Sequence, residues 1–265
     1  MKKTIISCVL FLTAVTAFSQ TPMKTAAEAK LSASDLAVKI ADRILATTTY
    51  EFKNTKTGKT YKSVKNLPLD MNVKVACKYN NWHYTNGVTH IALMELADKT
   101  GAKKYDDYVL KNMNFVFNEG NLDFFKKQYE QAMKNGGWYG VRKLSWHMIF
   151  RGKRLDDNGP MGASLIDLQM KHPNNSFLNY INETAEHLNY GEPRLADGTI
   201  ARIWPHENTI WADDAFMAIS FLARMAKMTG DMSYINDAAN QVIKYHKYLW
   251  CPEKRILYHC YHTDT

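Results

Sequence analysis

The chain has 265 residues, 46% of them hydrophobic and 23% charged, with a formal net charge of +8. That is enough for one large domain or two small ones with a sizeable core, and the composition is that of a globular protein rather than a disordered one. The positive charge admits an anionic partner, but lysines alternate with acidic residues and no arginine-rich run or nucleic-acid motif is present, so nucleic acid is excluded as a partner.

Residues 1–20 read as an export signal. Lys2 and Lys3 form its charged start, Ile5 to Phe18 its apolar stretch, and Ala17-Phe-Ser19 a small-x-small cleavage site. The apolar run is too short to span a bilayer, so an exported protein, periplasmic or extracellular, with no membrane partner is expected. Beyond Cys8, which lies inside the signal, the chain holds Cys77, Cys251 and Cys260, an odd number that argues against a disulfide framework.

Apolar residues recurring at three and four predict a helix from Leu31 to Leu45, with Ser34 as its cap. Residues 49–80 are rich in Lys, Thr and Asn, contain Gly58 and Pro68, and read as a long irregular connection. From Trp82 onward almost every long segment has helical periodicity and no convincing alternating strand appears. The predicted class is all-α.

Within that helical region lies a weak repeat of a helix, a turn and a second helix opened by an aromatic. The aromatics are Tyr105, Phe177 and Tyr234, and Gly101 and Gly230 suit left-handed helix ends in the first and third copies. A loop-plus-helix insertion near residues 121–152 separates the first two copies. Repeated helical hairpins build either a solenoid or a closed α/α toroid.

Counting back 21 residues from each aromatic reaches Tyr84, Asp156 and Asp213, and one residue further on lie Thr85, Asp157 and Asp214. Three polar clusters thus fall at the start of the first helix of each pair, which in a toroid converge on one rim. Asp is favoured as a helix cap, so each carboxylate has a purely structural reading; two doubled aspartates at matching repeat positions favour a site. Asp213 beside Trp211 is the candidate catalytic residue, at a costly place for charge because an anion close to buried apolar surface loses hydration, and Asp214 is the expected structural cap. Trp82 and Trp211 suit stacking on a sugar ring or a place in the core. Arg202 and His206, in the loop leading to Asp213, are candidates for binding a carboxylate. His246, Cys251, His259, Cys260 and His262 match no standard zinc spacing, and neither a metal nor another cofactor is expected.

Taken together, Trp82-His-Tyr-Thr-Asn-Gly-Val88, Leu155-Asp-Asp-Asn-Gly-Pro-Met-Gly162, Asp197-Gly-Thr-Ile-Ala-Arg202, Asn208-Thr-Ile-Trp-Ala-Asp-Asp-Ala-Phe-Met217 and Leu257-Tyr-His-Cys-Tyr261 resemble glycoside hydrolase family 105, the unsaturated rhamnogalacturonyl hydrolases, and the related family 88. The resemblance runs from about residue 31 to the end. It implies an (α/α)6 barrel, with residues 21–265 forming a partial domain of about seven or eight of its twelve helices. It further implies removal of a 4,5-unsaturated uronic acid from the non-reducing end of pectin or rhamnogalacturonan lyase products, so that the partner is an unsaturated acidic oligosaccharide. Asp213 matches the family's acid/base and Asp156 its substrate-positioning aspartate, with Asp157 as the alternative one residue on. Arg202, His259, Trp82 and Thr85 match positions near the substrate. The pattern departs at Cys260-Tyr-His, where the family has Gly-Trp-Asp. The family's later arginine motif is not reached by Thr265, which implies a C-terminally truncated barrel. Two further readings stay open: another α/α-toroid carbohydrate enzyme, such as a lyase or epimerase, and a non-catalytic sugar-binding paralogue. The leaving sugar and oligomeric state are not specified by sequence.

Overall fold

The structure, a computed structural model, describes residues 32–152 and 154–263; the signal segment expected at residues 1–20 lies outside them. The chain divides into two units, Met1–Arg43 and Ile44–Thr265. Helix α1 (Ala33–Thr47) begins in the first and ends in the second, and it opens on a reciprocal cap: Asp35 N–H donates to Ser32 Oγ and Ser32 N–H to Asp35 Oδ2, each at 3.1 Å. Ser32 is therefore the cap and the expected Ser34 sits inside the first turn, because the acid three residues after Ser32 satisfies the second open donor.

Residues 49–80 are more ordered than expected. Strands β1 (Phe52–Asn54), β2 (Thr60–Tyr61) and β3 (Val73–Val75) form an antiparallel sheet in the order β2-β1-β3, with Phe52 opposite Tyr61 on one side and Val75 on the other. Phe52, Val73 and Val75 are buried and the lysines between them are not, an alternation too short to register as periodicity. Phe52 packs on Phe115, Phe124 and Phe125 with ring centroids 5.8 Å away.

The rest of the second unit is predominantly helical. Helices α2 (Tyr84–Thr100) and α3 (Lys104–Val116) form a first hairpin, turning at Gly101 with φ 70°. Helix α4 (Glu119–Val141), bent where Gly137 leaves helical geometry, and the short α5 (Met148–Arg151) make up the insertion. Helices α6 (Leu155–Lys171) and α7 (Asn175–Glu186) form the second hairpin, followed by a π-turn, His187–Gly191. Helices α8 (Ala212–Thr229) and α9 (Met232–Leu249) form the third, turning at Gly230 with φ 76°. Strand β4 (Thr209–Trp211) precedes α8; β5 (Trp250–Cys251) pairs with β6 (Ile256–Leu257), and β7 (Cys260–His262) returns to pair with β4. Among the described residues eight helices are twelve residues or longer.

Helix α6 packs between α2 and α8, and each of the three packs on its own hairpin partner. α6 is accordingly buried on nearly every face, from Leu155 to Leu168. Helices α2, α6 and α8 approach closely because of two glycines. A Cβ on Gly87 would lie 2.3 Å from the Pro160 carbonyl carbon, and one on Gly159 would lie 2.9 Å from the Met217 carbonyl oxygen. That contact draws the starts of α2, α6 and α8 together at one end of the row.

Candidate active site

The three helix starts share one plan, and it shifts the sequence count by one residue. Tyr84, Leu155 and Ala212 are first in their helices, so Thr85, Asp156 and Asp213 are the true counterparts, and Asn86, Asp157 and Asp214 follow them. The first hairpin is one residue shorter than the others, which is why the count landed on Tyr84. None of the aspartates is a cap: the cap positions belong to Arg154 and Trp211, neither of which makes a side-chain capping bond.

The second residue of each helix faces outward and the third faces in. Asn86 is buried and donates to the carbonyls of Lys78 and Asn81 at 2.9 and 2.8 Å. Asp157 is fully buried and is held through both oxygens by Nε and Nη2 of Arg151, whose guanidinium lies 4.7 Å from the Trp138 ring centre. Asp214, with 3% of its side chain exposed, is held the same way by Arg202, at 2.6 and 2.7 Å, and that guanidinium lies 4.3 Å from the Trp211 ring centre. A bidentate arginine is what a buried carboxylate needs to offset its lost hydration. Asp214 is therefore a clamp for Arg202 rather than the cap expected.

Arg202 reaches this place on an anchored loop. Tyr245 Oη donates to the Ile200 carbonyl at 3.2 Å, and Gln241 accepts from Ile200 N–H and donates to the Gly198 carbonyl, each at 3.0 Å. The Arg202 N–H then donates to the Thr209 carbonyl at 2.7 Å, setting the arginine beside β4. Its Nη2 lies 3.6 Å from Asp156 Oδ1 and 3.5 Å from Asp213 Oδ2. One oxygen from each of Asp156, Asp213 and Asp214 lies within 4.8 Å of the others. Three carboxylates thus surround one guanidinium. Such a donor set is also one that a divalent cation takes, and here Arg202 supplies the countercharge.

Burial pushes the Asp214 carboxyl up to about 6, against the opposing pull of Arg202 and with help from the neighbouring Asp213 and Asp156. The desolvation expected at Asp213 has fallen on its neighbour instead; Asp213 keeps 43% of its side chain exposed. Asp156 lies beside a cavity of about 560 Å³ whose wall also includes Arg154, Arg202, Trp204 and Asp214. Asp213 is not part of that wall.

The remaining predicted residues divide sharply. Trp211 is half-buried under Arg202, with its ring 5.0 Å from that of His259, and His259 Nε2 lies 3.9 Å from Asp213 Oδ1. The β4–β7 pairing puts His259 there, since its carbonyl accepts from Ala212 N–H at 2.8 Å. Thr85 is exposed on the α2 rim with its hydroxyl 2.8 Å from His83 Nδ1. Trp82 and Asp157 are corrected. Both are fully buried, and the Trp82 indole N–H donates to the Asp157 carbonyl at 2.6 Å, so neither has a surface left for substrate. His206 is not gathered in either; it is exposed, with its ring 5.5 Å from His262.

Sequence reasoning passed over Arg151, Arg154, Trp204 and His83. The first two stand in Arg151-Gly-Lys-Arg-Leu-Asp-Asp157, where basic residues just ahead of two acids were a usable signal. His83 sits close enough to Asp156 for that charge to offset part of the downward push of burial on its pKa. No pattern distinguished Trp204.

Helical hairpins in a row, with carboxylates at the starts of two adjacent helices and an arginine among them, define an α/α protein with an acidic site at one end of the row. The family model described as Glycosyl Hydrolase Family 88 matches residues 56–265, and the chain belongs to that family. No curated protein matches the sequence. Among solved structures the chain is similar to a glycoside hydrolase of family 105 from C. acetobutylicum, with 20% identity, a TM-score of 0.56, and coverage of 86% of this chain and 49% of that one. It is also similar to a possible family 105 member from Klebsiella pneumoniae, with 13% identity, a TM-score of 0.55, and coverage of 89% and 53%. An α-1,6-mannanase of Salegentibacter sp. shares the fold at 12% identity and a TM-score of 0.54, with coverage of 89% and 57%. The chain spans about half the length of these structures. No helix among the described residues is long and apolar enough to cross a membrane.

Proposed function

We propose that the chain is the acid-bearing part of an exported hydrolase that removes a 4,5-unsaturated uronic acid from the non-reducing end of pectin or rhamnogalacturonan lyase products. Its hairpins are successive pairs of an (α/α)6 toroid, with α2, α6 and α8 as inner helices. One observation carries this reading: in a family 88 chain, Asp156 and Asp213 stand at equivalent outward positions of adjacent inner helices, with Arg202 between them.

Asp213 is the acid–base residue. It gives its proton to C4 of the enol-ether double bond, water adds its oxygen at C5, and the water's proton returns to the Asp213 carboxylate. The hemiketal formed at C5 then opens and releases the next sugar, so no covalent sugar–enzyme bond is required. Asp156 positions the ring by accepting from its hydroxyls. Arg202 holds the three carboxylates together, and burial raises the carboxyl of the clamping Asp214 to about 6. Trp211 and His259 form the flank beside Asp213.

Incubating the chain with lyase-digested rhamnogalacturonan and with lyase-digested polygalacturonate tests this. Loss of the ultraviolet absorbance of the conjugated uronate is the expected result. Unchanged absorbance with both digests overturns the reading.

A further inference from the structure

The cavity contains three arginines, and two of them are already committed. Arg151 is held by Asp157 and Arg202 by Asp214. Arg202 also has Asp156 and Asp213 within 3.6 Å, so the charge around it is negative and repels a further carboxylate. Arg154 differs. It lines the same cavity, yet among the described residues no carboxylate lies within ion-pair distance of its guanidinium.

What Arg154 does contact is aromatic. Its guanidinium carbon lies 4.8 Å from the ring centre of Trp204, which is 59% exposed and also lines the cavity. Stacking fixes the plane of a guanidinium without using its N–H groups, leaving the fork free for a planar anion. Burial and the nearby Arg151 lower the Arg154 pKa, and the charges of Asp157 and Asp156 only partly offset them.

We propose that Arg154 and Trp204 form a subsite for the carboxylate of a hexuronate ring, which Arg154 binds through two N–H groups while Trp204 supplies an apolar platform at the cavity edge. This rests on the reading above that the substrate is an acidic sugar. It places the carboxylate contact on Arg154 rather than on Arg202 or His206, the candidates read from the sequence. Arg202 keeps the catalytic carboxylates, and Arg154 selects charge on the substrate.

Binding is measured by calorimetry on the full chain carrying Asp213→Asn, so that turnover does not intervene. The probes are the 4,5-unsaturated digalacturonate and its methyl ester. The acid is expected to bind at least tenfold more tightly than the ester. Arg154→Gln should weaken the acid tenfold or more while leaving the ester within about twofold, and Arg154→Lys should recover only part of the loss. Equal weakening of both probes, an unchanged acid-to-ester ratio, or no binding of either probe before Arg154 is altered would each overturn the subsite. Turnover is read separately by absorbance on the chain with Asp213 intact. Turnover with an unchanged ratio in Arg154→Gln removes the subsite alone; an Arg154-dependent ratio without turnover removes the hydrolase reading alone.

Discussion

Arg202 grips Asp214 through Nε and Nη2, at 2.6 and 2.7 Å, from beside the ring of Trp211. Arg151 grips Asp157 with the same two atoms beside the ring of Trp138, at the equivalent position of the neighbouring helix α6. The two forks hold an inward aspartate beneath an outward one. The outward pair, Asp156 and Asp213, is thereby presented on rigid helix starts, whereas a loop would leave it mobile. The forks differ in surroundings: Asp157 has its arginine to itself, while Asp214 shares its own with two further carboxylates.

Sharing has a consequence for pH. Burial raises the Asp214 carboxyl from 3.8 to about 6, so between those values the folded chain binds more protons than the unfolded one. Stability from this group is therefore fullest below about pH 4 and declines as the pH rises through about 6. Asp214→Asn removes the titration. In urea unfolding from pH 4 to pH 7, the unaltered chain should lose on the order of 1–3 kcal/mol relative to Asp214→Asn as the pH rises. Parallel curves for the two proteins would refute the raised carboxyl.

Asp157 should show the cost of a lost partner. Arg151→Met leaves its carboxylate buried and uncompensated, which should cost about 3–5 kcal/mol in chemical denaturation. Adding Asp157→Asn removes the stranded charge and should recover most of that loss. If the double variant is no more stable than the single one, Arg151 matters through its packing on Trp138 and not through the fork.

Much of this arrangement was legible in the sequence, and the failures have physical causes. The hairpins were visible because Gly101 and Gly230 mark left-handed helix ends and Tyr105, Phe177 and Tyr234 each enter the following helix one turn later. The acidic rim followed from that repeat. The small sheet was not visible, since Phe52, Val73 and Val75 alternate over strands of three residues. The roles within each Asp-Asp pair were not visible either. Adjacent residues at a helix start point in different directions, and only packing against the neighbouring elements decides which of two identical side chains is buried. Trp82 misled because an indole beside polar residues suits a sugar platform, whereas its N–H is taken by the Asp157 carbonyl in the core.

The close approach of α2 to α6 should be intolerant of a single methyl group. A Cβ on Gly87 meets backbone, the Pro160 carbonyl carbon at 2.3 Å and the Met161 nitrogen at 2.5 Å, so the helices must separate. Gly87→Ala is expected to cost about 3 kcal/mol or more in denaturant unfolding. Gly101→Ala is the control: its φ is 70° but nothing lies within 4 Å of the added carbon. Only the left-handed backbone is penalised there, at about 1 kcal/mol. Equal small losses at both positions would contradict the close approach.

Asp213→Asn separates catalysis from stability. Asn keeps the shape and removes the proton shuttle, so loss of absorbance on lyase products should slow by about 10²–10⁴-fold. The fold should not suffer. The Asp213 side chain is 43% exposed, and its nearest charged partners, Arg202 at 3.5 Å and His259 at 3.9 Å, are loosely placed. Removing one of three carboxylates around a single guanidinium also relieves repulsion, so the unfolding free energy should stay within about 0.5 kcal/mol or rise slightly. Asp156→Asn should behave differently, raising KM more than it lowers kcat, because a positioning hydrogen bond is weakened while the acid remains. If Asp156→Asn abolishes turnover and Asp213→Asn only raises KM, the two roles are reversed. Comparable turnover in both variants and the unaltered chain would remove the trio from the chemistry.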